Sequence, residues 1–141
     1  MTQEEKDLLF KDLCARLNCG VKVHYKYYDF VGGTEQLVSE DDAIIMGINT
    51  TLGNPIQVDG YYVEVEHIKP YLRPMSSMTE EEDKEFALFQ TNFYTDGFLY
   101  PIAATNMIDW LNRHHFDYRG LIPKGLALEA KEGMYIIKTK K

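Results

Sequence analysis

Histidines and a carboxylate near the end of the chain form the one cluster that resembles a set of metal ligands, namely His114, His115 and Asp117. Adjacent residues on a helix point about 100° apart, so two neighbouring histidines rarely bind the same ion. His24 and His67 lie in strand-like segments without a second ligand at a suitable spacing. The sequence therefore favours His114 and His115 as the end of a helix, and no metal site is expected.

Nucleophilic side chains are present without the partners that would activate them. Ser76 and Ser77 stand in a loop-like segment with no nucleophile-elbow motif. Cys14 falls on the apolar stripe of a predicted helix, which indicates burial, and its spacing to Cys19 fits neither a zinc site nor a redox pair. No phosphate-binding or dinucleotide glycine motif occurs. An enzyme is therefore the least favoured functional class, and no cofactor is expected.

Tyrosine is the residue in excess, with ten in a chain of 141 residues. A tyrosine ring buries apolar surface while its hydroxyl stays in water, so it suits both core rims and binding surfaces. Rings along the β-region would form a recognition surface for a protein partner or a small anionic ligand. The candidate residues are Tyr25, Tyr27, Tyr61, Tyr62, Tyr71, Arg73, Tyr118 and Arg119. For the last two the alternative is structural, with the ring docking a helix and the guanidinium paired to an acid.

The first element that must position these residues is a helix over residues 3–17. Thr2 and Glu5 have the spacing of a capping box, and apolar residues recur at helical spacing from Leu9 to Leu17. Gly20 follows as a stop signal.

From residue 21 the hydrophobic period changes to two, which predicts an antiparallel meander of four or five strands over residues 21–68. Gly32-Gly33 marks a turn, and Asp59-Gly60 between apolar segments predicts a tight hairpin. The pattern predicts a short strand over residues 36–39 and a solvated acidic loop over residues 40–42. Residues 43–48 are continuously apolar, which predicts a covered central strand. A meander this small must curl or be covered, so an SH3-like or similar small barrel is expected.

The C-terminal half predicts helices. Thr79 and Glu82 form a second capping box for a helix over residues 79–92, and a further helix is expected over residues 105–116. Residues 98–100 and 134–138 predict short strands, the second of them the last element. The fold class is therefore α+β, in a single domain over residues 1–141.

Charge and hydropathy limit the partners. The net charge is −7, and the basic residues cluster only at Lys138, Lys140 and Lys141, which argues against nucleic acid and against an anionic membrane surface. Neither a secretory signal nor a run of about 20 apolar residues occurs, so a cytoplasmic location is expected. Exposed aromatic rings would also allow a homodimer.

Three stretches carry a resemblance to a known group of proteins. They are TQEEK to LCARL at 2–17, IKPYLRPMSSMTEEE at 68–82 and HFDYRGLI at 115–122. Together they resemble a group of small uncharacterised proteins of gut anaerobic bacteria and their phages or integrated elements. The resemblance leaves out residues 21–67 and implies a phage or mobile-element context, with no activity to transfer. A shared frame around a variable β-region would suit a recognition module.

The leading prediction is a non-enzymatic binding protein that acts through its tyrosine-rich β-region. A protein that sequesters a nucleotide signal against host defence is the second prediction, with Arg73, Arg113 and Arg119 as the candidate anion-binding residues. A small enzyme of unknown reaction is the third.

Overall fold

The computed structural model describes residues 1–50, 55–95 and 100–135. Three helices and seven strands lie in these ranges, with short 3-10 helices at Val65–His67 and Met75–Ser77. The helices are α1 (Gln3–Ala15), α2 (Glu80–Thr95) and α3 (Tyr100–Arg113). The strands are β1 (Lys22–Val31), β2 (Thr34–Ile44), β3 (Gly47–Ile48), β4 (Ile56–Val58), β5 (Tyr61–Val63), β6 (Ile68–Leu72) and β7 (Leu128–Glu129). The predicted α+β class is confirmed.

The described strands form two sheets, one with the order β2-β1-β6-β7 and one with the order β3-β4-β5. All neighbours are antiparallel except β6 and β7. Five strands do lie between residues 21 and 68, as expected, but they are divided between the sheets. Among the described residues the two sheets do not close on one another, so the SH3-like barrel stays a prediction.

Both predicted turns are present, and each connects two strands through residues with positive φ. Gly32 and Gly33 have φ of 64° and 86°, and Asp59 and Gly60 have φ of 48° and 80°. Two such residues in succession make the type I′ turn, whose twist matches that of the strands it joins. The register follows, with Val31 opposite Thr34 in one hairpin and Val58 opposite Tyr61 in the other.

The strand β2 is much longer than predicted. Residues 40–42 were expected as an acidic loop, but they continue the pairing of β2 with β1 as far as Ile44. The prediction of a covered strand over 43–48 is also wrong, because β2 ends at Ile44 and the chain then crosses to the second sheet. Ile45 turns inward at this crossing while Ile44 and Met46 face solvent. Acidic side chains are tolerated in β2 because that strand is exposed.

Helix α1 begins at the predicted capping box. The Thr2 N–H donates to Glu5 Oε1 at 2.9 Å, and the Glu5 N–H donates to Thr2 Oγ1 at 3.1 Å. The buried face differs from the predicted stripe, because Asp12 and Arg16 are buried where Cys14 and Leu17 were expected. The buried positions are Leu9, Asp12, Leu13 and Arg16.

The C-terminal helices are displaced from their predicted limits. Helix α2 begins at its capping box and extends to Thr95, while α3 begins at Tyr100 rather than near 105. Thr105, the first residue of the predicted helix, lies inside α3 and donates its hydroxyl to the Pro101 carbonyl. Of the predicted strands, 98–100 and 134–138 fall mostly outside the described residues, and Tyr100 belongs to α3.

Two apolar clusters hold these elements. The larger packs α1 against both sheets through residues such as Leu13, Val23 and Ile56. The smaller joins α2 to α3 around Trp110 and Phe116. No helix in the described ranges is both long enough and apolar enough to cross a bilayer.

Candidate recognition surface

The hairpin of β1 and β2 extends beyond the sheet to which it belongs. Strand β6 pairs with β1 through Val23, His24 and Tyr25, and its register with β1 ends there. From Lys26 outward, among the described residues, β1 and β2 pair with each other alone. We call this distal part of the hairpin, residues 26–40, the arm.

Aromatic rings fix the base of the arm to the rest of the protein. The ring of Tyr27 stacks on that of Tyr61 with centroids 4.6 Å apart, and Tyr28 lies 4.7 Å from the ring of His67. The Tyr25 hydroxyl lies 3.0 Å from Ser39 Oγ and donates to Asp59 Oδ2 at 3.0 Å. These contacts tie the arm to β5 and to the 3-10 helix before β6, which sets the direction in which it projects.

The tip of the arm exposes apolar side chains to solvent. Phe30 is 73% exposed, and Val31, Leu37 and Val38 are each about half exposed. Burying a side chain of this size is worth roughly 1.5–3 kcal/mol relative to leaving it in water. A projecting two-stranded ribbon has no core of its own in which to bury them. The tip is therefore an apolar surface that another molecule can cover.

One face of the arm continues into a groove at its base. Because side chains alternate along a strand, Lys26, Tyr28 and Phe30 share a face, and the register places Leu37 opposite Tyr28 on that face. A cavity of about 320 Å³ lies beside this face. Its lining includes His24, Lys26, Tyr28, Glu40, His67 and Lys69. The groove thus combines an aromatic ring with charges of both signs.

A hydrogen-bonded row of polar groups lies on the same side of the sheet. His24 Nδ1 lies 2.8 Å from Asp42 Oδ1 and its Nε2 lies 2.7 Å from Glu40 Oε2, while the Tyr71 hydroxyl donates to Asp42 Oδ1 at 2.8 Å. Partial burial acts to lower the pKa of His24, but the hydrogen bonds to the two carboxylates outweigh it and raise that pKa. The imidazolium form of His24 is therefore favoured between two acids of β2.

The structure separates the candidate tyrosines of the β-region into three environments. Tyr25 and Tyr71 are buried, at 1% and 4% exposure, so they cannot form an open recognition surface as placed. Tyr27 and Tyr61 are half-buried partners in the stack at the base of the arm. Tyr62 is exposed, near Tyr28 and His67. The rings do not share one surface.

Arg73 is held inside the protein by an internal carboxylate. Its guanidinium donates to both oxygens of Glu82, at 2.8 Å and 2.6 Å, and stacks over the Phe116 ring at 4.3 Å. The same Glu82 accepts the Thr79 N–H at 2.9 Å in the second capping box. Arg73 therefore connects β6 to α2 and is not placed to contact a ligand.

Tyr118 and Arg119 belong to a second internal ion cluster. Arg119 Nε donates to Asp12 Oδ1 at 3.1 Å, and the buried Arg16 Nε donates to Asp12 Oδ2 at 2.9 Å. Both guanidinium groups lie 5.1 Å from the centre of the Tyr118 ring. Arg16 also donates to the Phe116 carbonyl at 2.7 Å. This is the structural alternative given for Tyr118 and Arg119, with an acid of α1 as the partner.

His115 lies two residues beyond the end of α3 at Arg113, whereas the sequence predicted a helix that continued to residue 116. It has a φ of 64°, and its ring stacks on that of Tyr135 with centroids 3.7 Å apart. Burial, with Arg16 and Arg73 nearby, lowers the pKa of His115 to about 4. The imidazole is therefore neutral at physiological pH.

One set of potential metal ligands lies in the described residues. Ligand atoms of Glu64, Glu66 and His67 are all within 4.8 Å of one another at the surface. Lys6 Nζ already lies 3.3 Å from Glu66 Oε2. A hydrogen bond to Glu66 raises the pKa of Glu64. His67 Nδ1 also lies 4.0 Å from Glu64 Oε2, so the three side chains contact one another or Lys6.

Sequence reasoning missed the residues at the tip of the arm. Phe30 and Val31 occupy ordinary strand positions in the sequence pattern, and the predicted binding residues are all tyrosines or arginines. A signal was present, because two apolar residues directly before Gly32-Gly33 must lie at the end of a hairpin, far from any core.

No family model, curated protein or solved structure matches this chain. Its function is therefore argued from its own geometry.

Proposed function

We propose that this is a non-enzymatic binding protein, and that it recognises a protein partner through the arm and the groove at its base. The observation that carries the proposal is the apolar tip, with Phe30 73% exposed at the end of a projecting hairpin. Phe30 and Leu37 lie on the same face of the arm, and apolar side chains that are exposed together mark interaction sites. Tyr28 extends this surface toward the groove, and Tyr62 lies beside Tyr28.

The surface fits a protein partner better than a small anion. Arg73 and Arg119, two of the three arginines proposed for anion binding, are paired with Glu82 and Asp12. Glu40 and Glu66 line the groove beside Lys26 and would repel an anion there. The resemblance of the frame to phage and mobile-element proteins adds the proposal that the partner is a host protein.

The proposal is tested by quantitative affinity capture from a lysate of the cell that makes the protein. The double variant Phe30→Ser with Val31→Ser removes two of the four apolar side chains of the tip, including the most exposed one, without touching buried side chains. Leu88→Ser is the matched control, since Leu88 is equally apolar, 66% exposed and carried by α2. A partner captured by the native protein and by Leu88→Ser, but lost with the tip variant, supports the proposal. Equal capture by all three proteins contradicts it.

A further inference from the structure

Strand β2 has a free edge, and we propose that a lysine- or arginine-bearing segment of the partner pairs with it as an additional antiparallel or parallel strand. This inference rests on the proposed binding function and names the chemistry of the partner. It depends on the backbone of β2 and on its charge, which are separate from the apolar tip.

The outer edge of β2 is the end of its sheet, in the order β2-β1-β6-β7. The two-residue turn makes Val31 and Thr34 a hydrogen-bonded pair, so the backbone groups of Glu35 and Leu37 point away from β1. In the described part of the chain, no backbone group outside β1 bonds to these two residues. Their N–H and C=O groups are available to a further strand.

The register of β1 and β2 has an irregularity between Tyr27 and Tyr28. On its far side from the turn, the pairing of Pro70 shows which backbone groups of β2 point outward. Pro70 lies opposite Val23 and has no N–H, so Val23 directs its backbone groups to β2 and pairs there with Ala43. Alternation then leaves Glu40 and Asp42 facing outward. In agreement, the Asp42 N–H donates to the side chain of Asp41 at 2.8 Å rather than to β1.

Edge strands of natural proteins are usually short or are protected by charged side chains, lysine above all, by proline or by bulges. Strand β2 has 11 residues without lysine or proline, so its protection is acidic side chains, which repel a second acidic strand but not a cationic one. Its one irregularity is a bulge, since Tyr27 faces Ser39 and Tyr28 faces Leu37, which leaves Val38 without a partner. The bulge interrupts the edge and so limits the registers in which another strand can pair with it.

The charge of β2 selects the kind of segment. The strand carries four acidic residues and no basic one, namely Glu35, Glu40, Asp41 and Asp42. Among the described residues, Glu40 is paired with His24 and Asp42 with both His24 and Lys131, whereas no cation is paired with Glu35 or Asp41. A second copy of β2 would bring eight carboxylates into one ribbon, in a protein whose net charge is already −7. A cationic strand instead places opposite charges across the new pair.

Amide exchange measured by NMR on the full chain tests this inference. The probe is a capped ten-residue peptide of alternating lysine and valine, added to saturation. Exchange at the outward amides of Glu35, Leu37 and Glu40 is expected to slow at least tenfold, while the inward amide of Gln36 changes little. A peptide of alternating glutamate and valine, and a lysine–valine peptide with N-methylated backbone, are expected to bind at least tenfold more weakly.

Two variants of the protein test separately how the backbone of β2 and the charge of β2 contribute to peptide binding. Leu37→Pro removes one outward donor and no bond to β1, and it is expected to weaken peptide binding at least tenfold. Glu35→Lys is also expected to weaken peptide binding, because it removes one of the acidic side chains of β2. Its control, Glu132→Lys on an exposed turn, is expected to leave peptide binding unchanged.

The inference is overturned if the outward amides stay unprotected or if the glutamate peptide binds equally well. If the outward amides become protected without peptide as the protein concentration rises, and the molecular mass doubles, the edge pairs with a second copy of the chain and the inference is overturned. Loss of partner capture with the tip variant, combined with unprotected edge amides, would leave the binding function standing and remove this inference alone.

Discussion

The interior between α1 and the C-terminal segment buries charge, whereas the arm exposes apolar groups, so each region reverses the usual distribution. Arg16 is fully buried beside Asp12, while Phe30 is 73% exposed. A buried ion pair is satisfied only in one geometry, and breaking it leaves an uncompensated charge. An exposed apolar tip adds nothing to folding. The comparison indicates that the first region fixes the architecture, whereas the second is free for the binding that we propose.

The largest expected effect is in the interior, where Asp12→Ala leaves two arginines without their carboxylate. We expect a loss of about 3–5 kcal/mol in the free energy of unfolding, because Arg16 stays buried and charged. Urea unfolding measures this. Asp7→Ala is the control, since Asp7 lies exposed on the same helix and should change stability by less than about 0.5 kcal/mol. Equal effects of the two variants would contradict the assignment.

The second effect is a pH dependence from His115. The unfolded chain takes up a proton near pH 6.5, while the folded protein does so only near pH 4, since burial lowers the pKa of His115 to about 4. Stability from this group is therefore complete above pH 6.5 and falls as the pH is lowered toward 4, by about 1–2 kcal/mol once solvent screening of the partly exposed ring is allowed for.

The variant His115→Asn isolates this contribution, because asparagine tolerates positive φ and does not titrate. Unfolding free energies of both proteins are compared at several values between pH 4 and 7. The native protein should lose more stability than the variant over this range. Parallel curves would show that His115 titrates normally.

At the boundary of the two regions, Tyr61→Ala removes the ring that stacks on Tyr27. We expect a loss of about 1–2 kcal/mol and faster amide exchange in the arm, because the stack anchors its base. Tyr62→Ala is the natural control, since Tyr62 is the next residue and is exposed. If both variants speed exchange in the arm equally, the stack is not the anchor.

The smallest effect on stability is expected at the tip itself. Phe30→Ser with Val31→Ser should change the free energy of unfolding by less than about 0.5 kcal/mol, because both side chains are already in water. Thermal unfolding and urea unfolding both measure this. A destabilisation above 2 kcal/mol would mean that the tip belongs to the core, and the contrast between the regions would disappear.

Local signals predicted the parts of the fold that depend on a few neighbouring residues. Both capping boxes and both turns are confirmed, because each requires specific side chains or positive φ within four residues. The buried face of α1 is rotated around the helix axis relative to the predicted apolar stripe. A hydrophobicity pattern assigns Asp12 and Arg16 to solvent, and only their partners in the C-terminal segment explain why they are buried.

The candidate site was predicted only by region. The sequence predicted a recognition surface on the β-strands before Pro70, and the arm that we propose as the site belongs to these strands. It could not distinguish Tyr25, which faces the core, from Tyr62, which faces water, because both stand at strand positions with the same residue type. Nor could it show that β2 is an edge strand, since the order of strands depends on pairings between distant residues.

The sequence by itself determined the class of the fold, the starts of two helices and the tight turns, because caps and turns are short-range interactions. Tertiary structure alone decided which charges are buried, which tyrosines are exposed and which strand has a free edge. The physical reason is that burial and pairing are properties of contacts between segments, and Asp12 meets Arg119 only when the ends of the chain come together.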